Sequence, residues 1–354
     1  MEKPLTEGGS LARPAAGSGA PEPRTRGEGG NGGGVSLRKR LLNAKTILSF
    51  LVAALLLFTV FRKLGDFSAA AAQIRQVDLG VYGLAFVVYA FAFPSRGLRW
   101  QRLLKNVGEE QPAGPLINYL FLSWFVNCLV PAKIGDVYRS YLLKKNRDVS
   151  MSKSVGTVFA ERIIDTITIF LAFGVTGLMV FRSKLPPEVR LIVAAGIALG
   201  LLMVGVLIFM RHFGEAVVAR LAPARFQASY KSFQEGTLGS FKAFEVVGLF
   251  TFLAWTFEAS RLFLVAHSLA GGTPMLAHFS FLTAIFAMVT GSILTLVPTP
   301  GGLGAVEGGL TGVLILVGLQ PGVALAIVIL DRFISYWGVV ATGALDYFVG
   351  KAAR

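Results

Sequence analysis

Six acidic residues, Asp136, Glu161, Asp165, Glu258, Glu307 and Asp331, fall in or beside long apolar stretches, accompanied by Arg139, Arg162, Arg261 and Arg332. A charge at the centre of a membrane helix costs ~2.5–3.5 kcal/mol on insertion scales, so residues of this kind mark a partner, a ligand or an ion path. Glu258 and Arg261 stand three apart at the middle of one stretch, the spacing of an intrahelical ion pair. Glu161 and Asp165 are four apart and share a helix face, with Arg162 turned away by about 100°. Asp331-Arg332 presents an acid–base doublet again near the other end of the chain. Asp136 and Arg139 follow a backbone break at Pro131 and Gly135, with Lys133 between. A helix starting there directs free N–H groups and its positive dipole end inward, which suits a phosphate or carboxylate better than a metal. Glu307 follows a second break, Pro298-Thr-Pro300-Gly301-Gly302, on a stretch where Gly304, Gly308 and Gly312 form a small-residue ridge for close helix packing.

The elements that must hold these residues are membrane helices. Of the 354 residues, 54% are hydrophobic and 15% charged, against about 25% charged in a typical soluble domain. The mean hydropathy is +0.63. The net charge of +14 does not indicate nucleic acid, because such a partner needs an exposed basic face and not long apolar runs. One cysteine, Cys128, excludes a disulfide framework, and three scattered histidines exclude a zinc cluster; neither a metal nor a cofactor is expected. No Ser or Cys nucleophile with a matching His can be assembled, so no catalytic residue is expected and the protein is expected not to be an enzyme.

Residues 1–36, with ten Gly, four Pro and balanced charge, read as a disordered cytoplasmic tail without a signal peptide. A membrane domain over 37–350 follows. Its expected full spans are Ala44–Phe61, Leu79–Pro94, Val155–Phe181, Leu191–Met210, Val246–Leu269 and Gly322–Val349, six in all. Leu116–Val130 and Ala277–Val297 stop at the proline breaks and are each followed by a second short stretch, which predicts two re-entrant helical hairpins. With both hairpins and cytoplasmic termini, 25 of the 34 Lys and Arg fall on the inside and six on the outside, as the positive-inside rule requires. The basic segment 211–245, with Phe226, Tyr230 and Phe233 on one face, reads as an amphipathic connector at the cytoplasmic interface.

Three landmarks occur twice in one order. Phe93-Pro94-Ser95-Arg96 matches Glu258-Ala259-Ser260-Arg261, Leu129-Val130-Pro131 matches Leu296-Val297-Pro298, and Glu161-Arg162 matches Asp331-Arg332. Each half, about 44–181 and 191–349, holds two spans, a hairpin and one more span. Three spans is an odd number, so the second half is inverted. The expected fold is therefore an all-α polytopic bundle of inverted repeats with broken helices, with a site near the midplane.

Pro131-Ala-Lys-Ile-Gly135-Asp136-Val-Tyr-Arg139, Phe159-Ala-Glu161-Arg162-Ile-Ile-Asp165, Pro298-Thr-Pro300-Gly301-Gly302-Leu-Gly304-Ala-Val-Glu307 and Asp331-Arg332-Phe-Ile-Ser335-Tyr336-Trp337 run in one order. In this the chain resembles the lysylphosphatidylglycerol synthase transmembrane-region family, also called flippase-like domain proteins, over about residues 40–350. The resemblance implies a translocator that moves aminoacylated or polyprenol-linked lipids between leaflets of the plasma membrane, its partners being membrane lipids and a separate glycosyltransferase or aminoacyl-lipid synthase. The chain ends soon after the last span, so lysyl transfer is not expected. On this reading Lys133, Asp136, Arg139, Arg162 and Arg332 bind the lipid phosphate. Glu161, Asp165, Glu258, Arg261, Glu307 and Asp331 hold polar parts of the head group or relay protons. Pro131, Gly135, Pro298, Pro300, Gly301 and Gly302 break the helices so that one half can rock against the other. An intramembrane lipid-modifying transferase and a non-transporting accessory subunit are the alternatives.

Overall fold

In hydrocarbon every backbone N–H and C=O must find its partner within its own segment, which leaves the apolar runs of this chain only the helix. The computed structural model describes residues 44–349 except 65, 132, 183 and 184; the expected tail lies outside the described residues. Among the described residues there are helices and no strand. The first half comprises α1 (Ala44–Leu64), α2 (Phe67–Ile74), α3 (Leu79–Asn106), α4 (Ala113–Leu129), α5 (Gly135–Arg147) and α6 (Met151–Val180). The second comprises α7 (Pro187–Leu221), α8 (Ala224–Gly239), α9 (Phe244–His267), α10 (Phe281–Leu294), α11 (Ala305–Leu316) and α12 (Pro321–Val349). Helices α3, α6, α7, α9 and α12 are long and apolar enough to cross a bilayer; α1, where the sixth span is expected, carries a shorter apolar stretch over Ile47–Thr59. Its Leu48, Leu51 and Leu55, like Leu191 and Leu201 of α7, are exposed, as side chains facing lipid are.

Local chemistry sets the helix starts. Asp78 accepts from the N–H groups of Gly80 and Val81 at the head of α3 (2.8 and 3.1 Å), Ser280 from Thr283 at the head of α10 (3.1 Å), and Asp66 from Ala69 before α2 (3.0 Å). The last of these bonds, with a second from the Ser68 hydroxyl, holds the exposed Asp66 carboxyl below its ordinary range. Helix α3 departs from expectation. Pro94 does not end the span; its missing N–H and its ring open the helix at Phe91, and the chain resumes and continues to Asn106. Arg96 and Arg99, beyond the expected end of the span at Pro94, are consequently buried inside the bundle.

Helix α7 also overruns its expected end at Met210, passing through a π turn at Met210–Gly214 to Leu221. Gln234 of α8 donates to the Met210 carbonyl (2.7 Å), and Gly214 lies beneath the Tyr230 hydroxyl. The segment 211–245 is thus in part the end of α7 and in part α8, which packs along α6. Gly156 and Gly236 make that crossing possible, since a Cβ on either would lie 2.3 or 2.2 Å from a carbonyl oxygen of the other helix. Phe233 packs on Phe159 (centroids 5.6 Å apart), whereas Phe226 is exposed.

The two hairpins α4–α5 and α10–α11 use helices of 17, 13, 14 and 12 residues, or roughly 18–26 Å at 1.5 Å per residue, shorter than ~30 Å of hydrocarbon. Their tips meet. Tyr336 of α12 donates to the Cys128 carbonyl at one tip (2.9 Å), and Arg332 donates to the Gly301 carbonyl at the other (3.0 Å). Gly301 and Gly304 hold left-handed backbone here, with φ of +56° and +83°. The glycine ridge is used unevenly: a Cβ on Gly304 would strike Leu56 of α1 (2.5 Å), whereas Gly312 faces open space.

The halves are related as the landmarks suggest. Contacts from α3 run Phe91 to Phe257, Arg96 to Glu258 and Arg99 to Thr251 on α9, then Asn106 to the Lys242 carbonyl just before α9, so the two helices are antiparallel. Each first hairpin helix packs on the last long helix of the other half: α4 on α12 through Phe125 and Tyr347, α10 on α6 through Phe286 and Phe173. The α6–α8 crossing yields a direct check. Gly236→Ala is expected to destabilise the protein by about 1–3 kcal/mol through overpacking. The same change at Gly248, where a Cβ meets nothing within 4 Å, should leave the melting temperature in detergent unchanged or slightly raised.

Candidate functional site

Three clusters of buried ions converge between the hairpin tips. In the first half, Glu161 on α6 faces Arg99 of α3 (3.1 Å), Arg139 of α5 (3.2 Å) and its neighbour Arg162 (3.1 Å). Arg99 grips Asp165 with two bonds of 2.7 and 3.0 Å and reaches the Thr251 hydroxyl of α9 (3.1 Å). Arg162 lies 3.2 Å from Asp136 and 3.6 Å from Asp165. Across the midline, Arg96 binds Glu258 (2.9 Å), Glu258 binds Arg261 (2.5 Å), and Arg261 binds Asp331 through two nitrogens (2.8 and 3.3 Å). The third cluster lies at the second tip, where Arg332 binds Glu307 (2.7 Å) and the other Glu307 oxygen caps α11 by accepting from the Gly304 N–H (2.6 Å).

The clusters repeat the inverted symmetry. In each half the long helix before the hairpin supplies an arginine to the acid of α6 or α12: Arg99 to Glu161, Arg261 to Asp331. The arginine next to that acid turns to a carboxylate in the first turn of the second hairpin helix: Arg162 to Asp136, Arg332 to Glu307. Four of the arginines also lie against an aromatic ring: Arg96 on Trp124 and Trp255, Arg139 on Trp100, Arg261 on Tyr89 and Arg332 on Tyr336, at 4.7–5.5 Å. Rings and carboxylates together replace the water these guanidinium groups give up.

The clusters border a cavity of 490 Å³, within the usual range for small-molecule sites. Lys133, Arg162, Asp165, Glu258, Arg261, Asp331 and Arg332 form part of its wall, with Pro298 and Gly301. Asp136, Glu161 and Glu307 stand behind the wall as partners of its arginines, with Arg139 paired to Glu161, and Pro131, Gly135, Pro300 and Gly302 shape the tips without lining it.

One expectation fails on geometry. The start of α5 presents no free N–H groups to an anion. Gly135 donates to the Asn127 side chain (2.7 Å), Asp136 to the Lys133 carbonyl, and Val137 and Tyr138 to that of Ile134. The hairpin tip folds tightly enough to use every donor of its first turn. A Cβ on Gly135 would lie 1.9 Å from the Ser123 carbonyl oxygen, so glycine is what allows the approach.

The spans alone did not reveal Arg96, Arg99, Tyr89, Trp124 and Trp255. Arg96 carried a readable signal, since it matches Arg261 in the repeat, and Arg99 lies one turn further on the same helix. Exchange of Glu161 for Gln removes one carboxylate from Arg99 and Arg162 and, among the described residues, the only ion-pair partner of Arg139, and is expected to cost about 3–5 kcal/mol, seen as a large fall in melting temperature in detergent. Glu110→Gln, which breaks only the exposed pair with Lys105 (2.9 Å), should leave that temperature unchanged.

The model of the lysylphosphatidylglycerol synthase TM region matches residues 46–343, nearly the whole of the described chain. A UPF0104 membrane protein of Methanocaldococcus jannaschii is 32% identical over 64% of this chain and 94% of its own length. A UPF0104 membrane protein of Methanothermobacter thermautotrophicus is 24% identical over 85% of this chain and 92% of its own. The glycosyltransferase AglD of Haloferax volcanii is 26% identical over 85% of this chain, which spans about half (54%) of that protein. With its helical bundle, two short hairpins and ion clusters matched in each half, the chain is a multi-pass membrane protein and belongs to the lysylphosphatidylglycerol synthase transmembrane-region family.

Proposed function

We propose that the protein moves phosphate-bearing lipids between the leaflets of the plasma membrane, with the head group in the cavity and the acyl or prenyl tails in hydrocarbon. One observation carries this reading: at the meeting point of two hairpins too short to span, five cationic side chains and three carboxylates line one cavity inside an apolar bundle. Charge at that depth is costly, and it is retained where a polar ligand must pass. The two halves touch through side-chain bonds such as Arg96 to Glu258, Arg99 to Thr251, Asn118 to Asp346 and Tyr82 to the Leu330 carbonyl, and through the Tyr336 bond at the first tip. Rocking of one half against the other exposes the cavity to each leaflet in turn, the movement that inverted repeats support. Cytoplasmic termini follow from the charge bias, which remains strong after Arg96, Arg99, Lys133 and Arg139 are set aside as site residues.

The reading supposes no bond-making chemistry in this chain. A glycosyltransferase or an aminoacyl-lipid synthase would supply the lipid; the name of the AglD relative favours the former. The full chain in sealed vesicles containing head-group-labelled phosphatidylglycerol tests this directly. Inner-leaflet label should become accessible to an impermeant quencher, and Lys133→Gln should slow the exchange about tenfold, the effect of ~1.4 kcal/mol. No exchange by the unaltered protein would overturn the proposal. Turnover of head groups in detergent, without any need for sealed vesicles, would instead mark a transferase.

A further inference from the structure

We infer that the head group accepted by the cavity is an amine-free phosphodiester bearing hydroxyls, and that lipids carrying an ammonium group are rejected. The inference rests on the translocator reading and narrows its substrate. Three carboxylates line the cavity, and an arginine occupies each of their six oxygens. Asp165 gives both oxygens to Arg99 (2.7 and 3.0 Å). Glu258 gives one to Arg96 (2.9 Å) and one to Arg261 (2.5 Å). Asp331 gives both to Arg261 (2.8 and 3.3 Å). An ammonium group entering the cavity therefore meets no carboxylate oxygen that lacks an arginine.

It also meets a positive field. Of the five cations in the wall, Arg96, Arg162, Arg261 and Arg332 each have a carboxylate within 3.2 Å, whereas Lys133 has none within 4 Å among the described residues. Lys133 sits at the first hairpin tip with left-handed backbone (φ +52°), a conformation uncommon for a lysine. One uncompensated positive charge calls for one negative charge, which a phosphodiester carries.

Four further polar atoms of the wall lack a partner, and two of them can only donate. Arg96 Nη1, Trp255 Nε1 and the hydroxyls of Tyr89 and Thr299 are buried without a hydrogen-bond partner among the described residues. Arg96, Tyr89 and Thr299 are each 4% exposed. Arg and Trp nitrogens can only donate, so they pair with phosphate, hydroxyl or glycosidic oxygens and not with an ammonium. Discrimination of this kind arises as much from repulsion of the wrong ligand as from attraction of the right one.

Three labelled lipids in the same vesicles decide the matter: phosphatidylglycerol, a glycosyl phosphoprenol and lysyl-phosphatidylglycerol. Either amine-free lipid should exchange at least about tenfold faster than the lysyl lipid. Lys133→Glu, which reverses the uncompensated charge at an incompletely buried position, should narrow or invert that ratio. The faster of the two amine-free probes tells whether a glycerol or a sugar follows the phosphate. Equal or faster exchange of the lysyl lipid would overturn the selectivity while leaving translocation intact. Exchange of none of the three would overturn translocation itself.

Discussion

Buried charge neutralisation is the constraint on which the rest of this structure depends. Six carboxylates and six arginines, Arg96, Arg99, Arg139, Arg162, Arg261 and Arg332, lie where hydrocarbon-facing helices enclose them, and an isolated ion there costs several kcal/mol. Each must therefore be held by partners from other helices, and that need fixes which helices touch. Glu161 alone draws together α3, α5 and α6, and Arg261 ties α9 to α12. The hairpins serve the same end. Their proline and glycine breaks bring Asp136 and Glu307 in the first turns of α5 and α11 to the arginines of α6 and α12. In such a lattice Lys133 is conspicuous, a cation at a hairpin tip to which the described protein gives no close anion.

Much of this was legible in the chain itself. Apolar runs separated by basic loops announced the spans, because hydrocarbon leaves little choice of secondary structure. The breaks at Pro131 and Pro298 announced the hairpins, and the Glu258–Arg261 spacing announced an intrahelical pair. The repeat of Glu161-Arg162 in Asp331-Arg332 foreshadowed the way each half uses one doublet twice, acid toward the long helix and arginine toward the hairpin.

What stayed hidden was decided by contacts distant in sequence. Pro94 looked like the end of a span, yet α3 only opens at Phe91 and continues, since Glu258 of α9 takes Arg96 into an ion pair and Glu161 and Asp165 of α6 take Arg99. The start of α5 looked like an anion site, and the Asn127 side chain from α4 fills it. The segment after Met210 looked like a connector, but glycine on both sides of the α6–α8 crossing lets α8 dock on the bundle. In each case a residue type was read correctly and its partner lay on another helix.

The central claim is that the cavity between the hairpin tips receives a lipid head group. Cys128 is the only cysteine of the chain, so replacing it with Ala and placing a cysteine at Ser292 leaves one thiol in the cavity wall. Among the described residues the hydroxyl of Ser292 bonds only within its own helix, to Met288, which makes the exchange mild. The rate at which a small charged thiosulfonate labels this thiol in detergent should fall as phosphatidylglycerol is added to the micelles and stay constant with a neutral diacylglycerol. Equal labelling rates with and without the phosphate-bearing lipid would contradict the account.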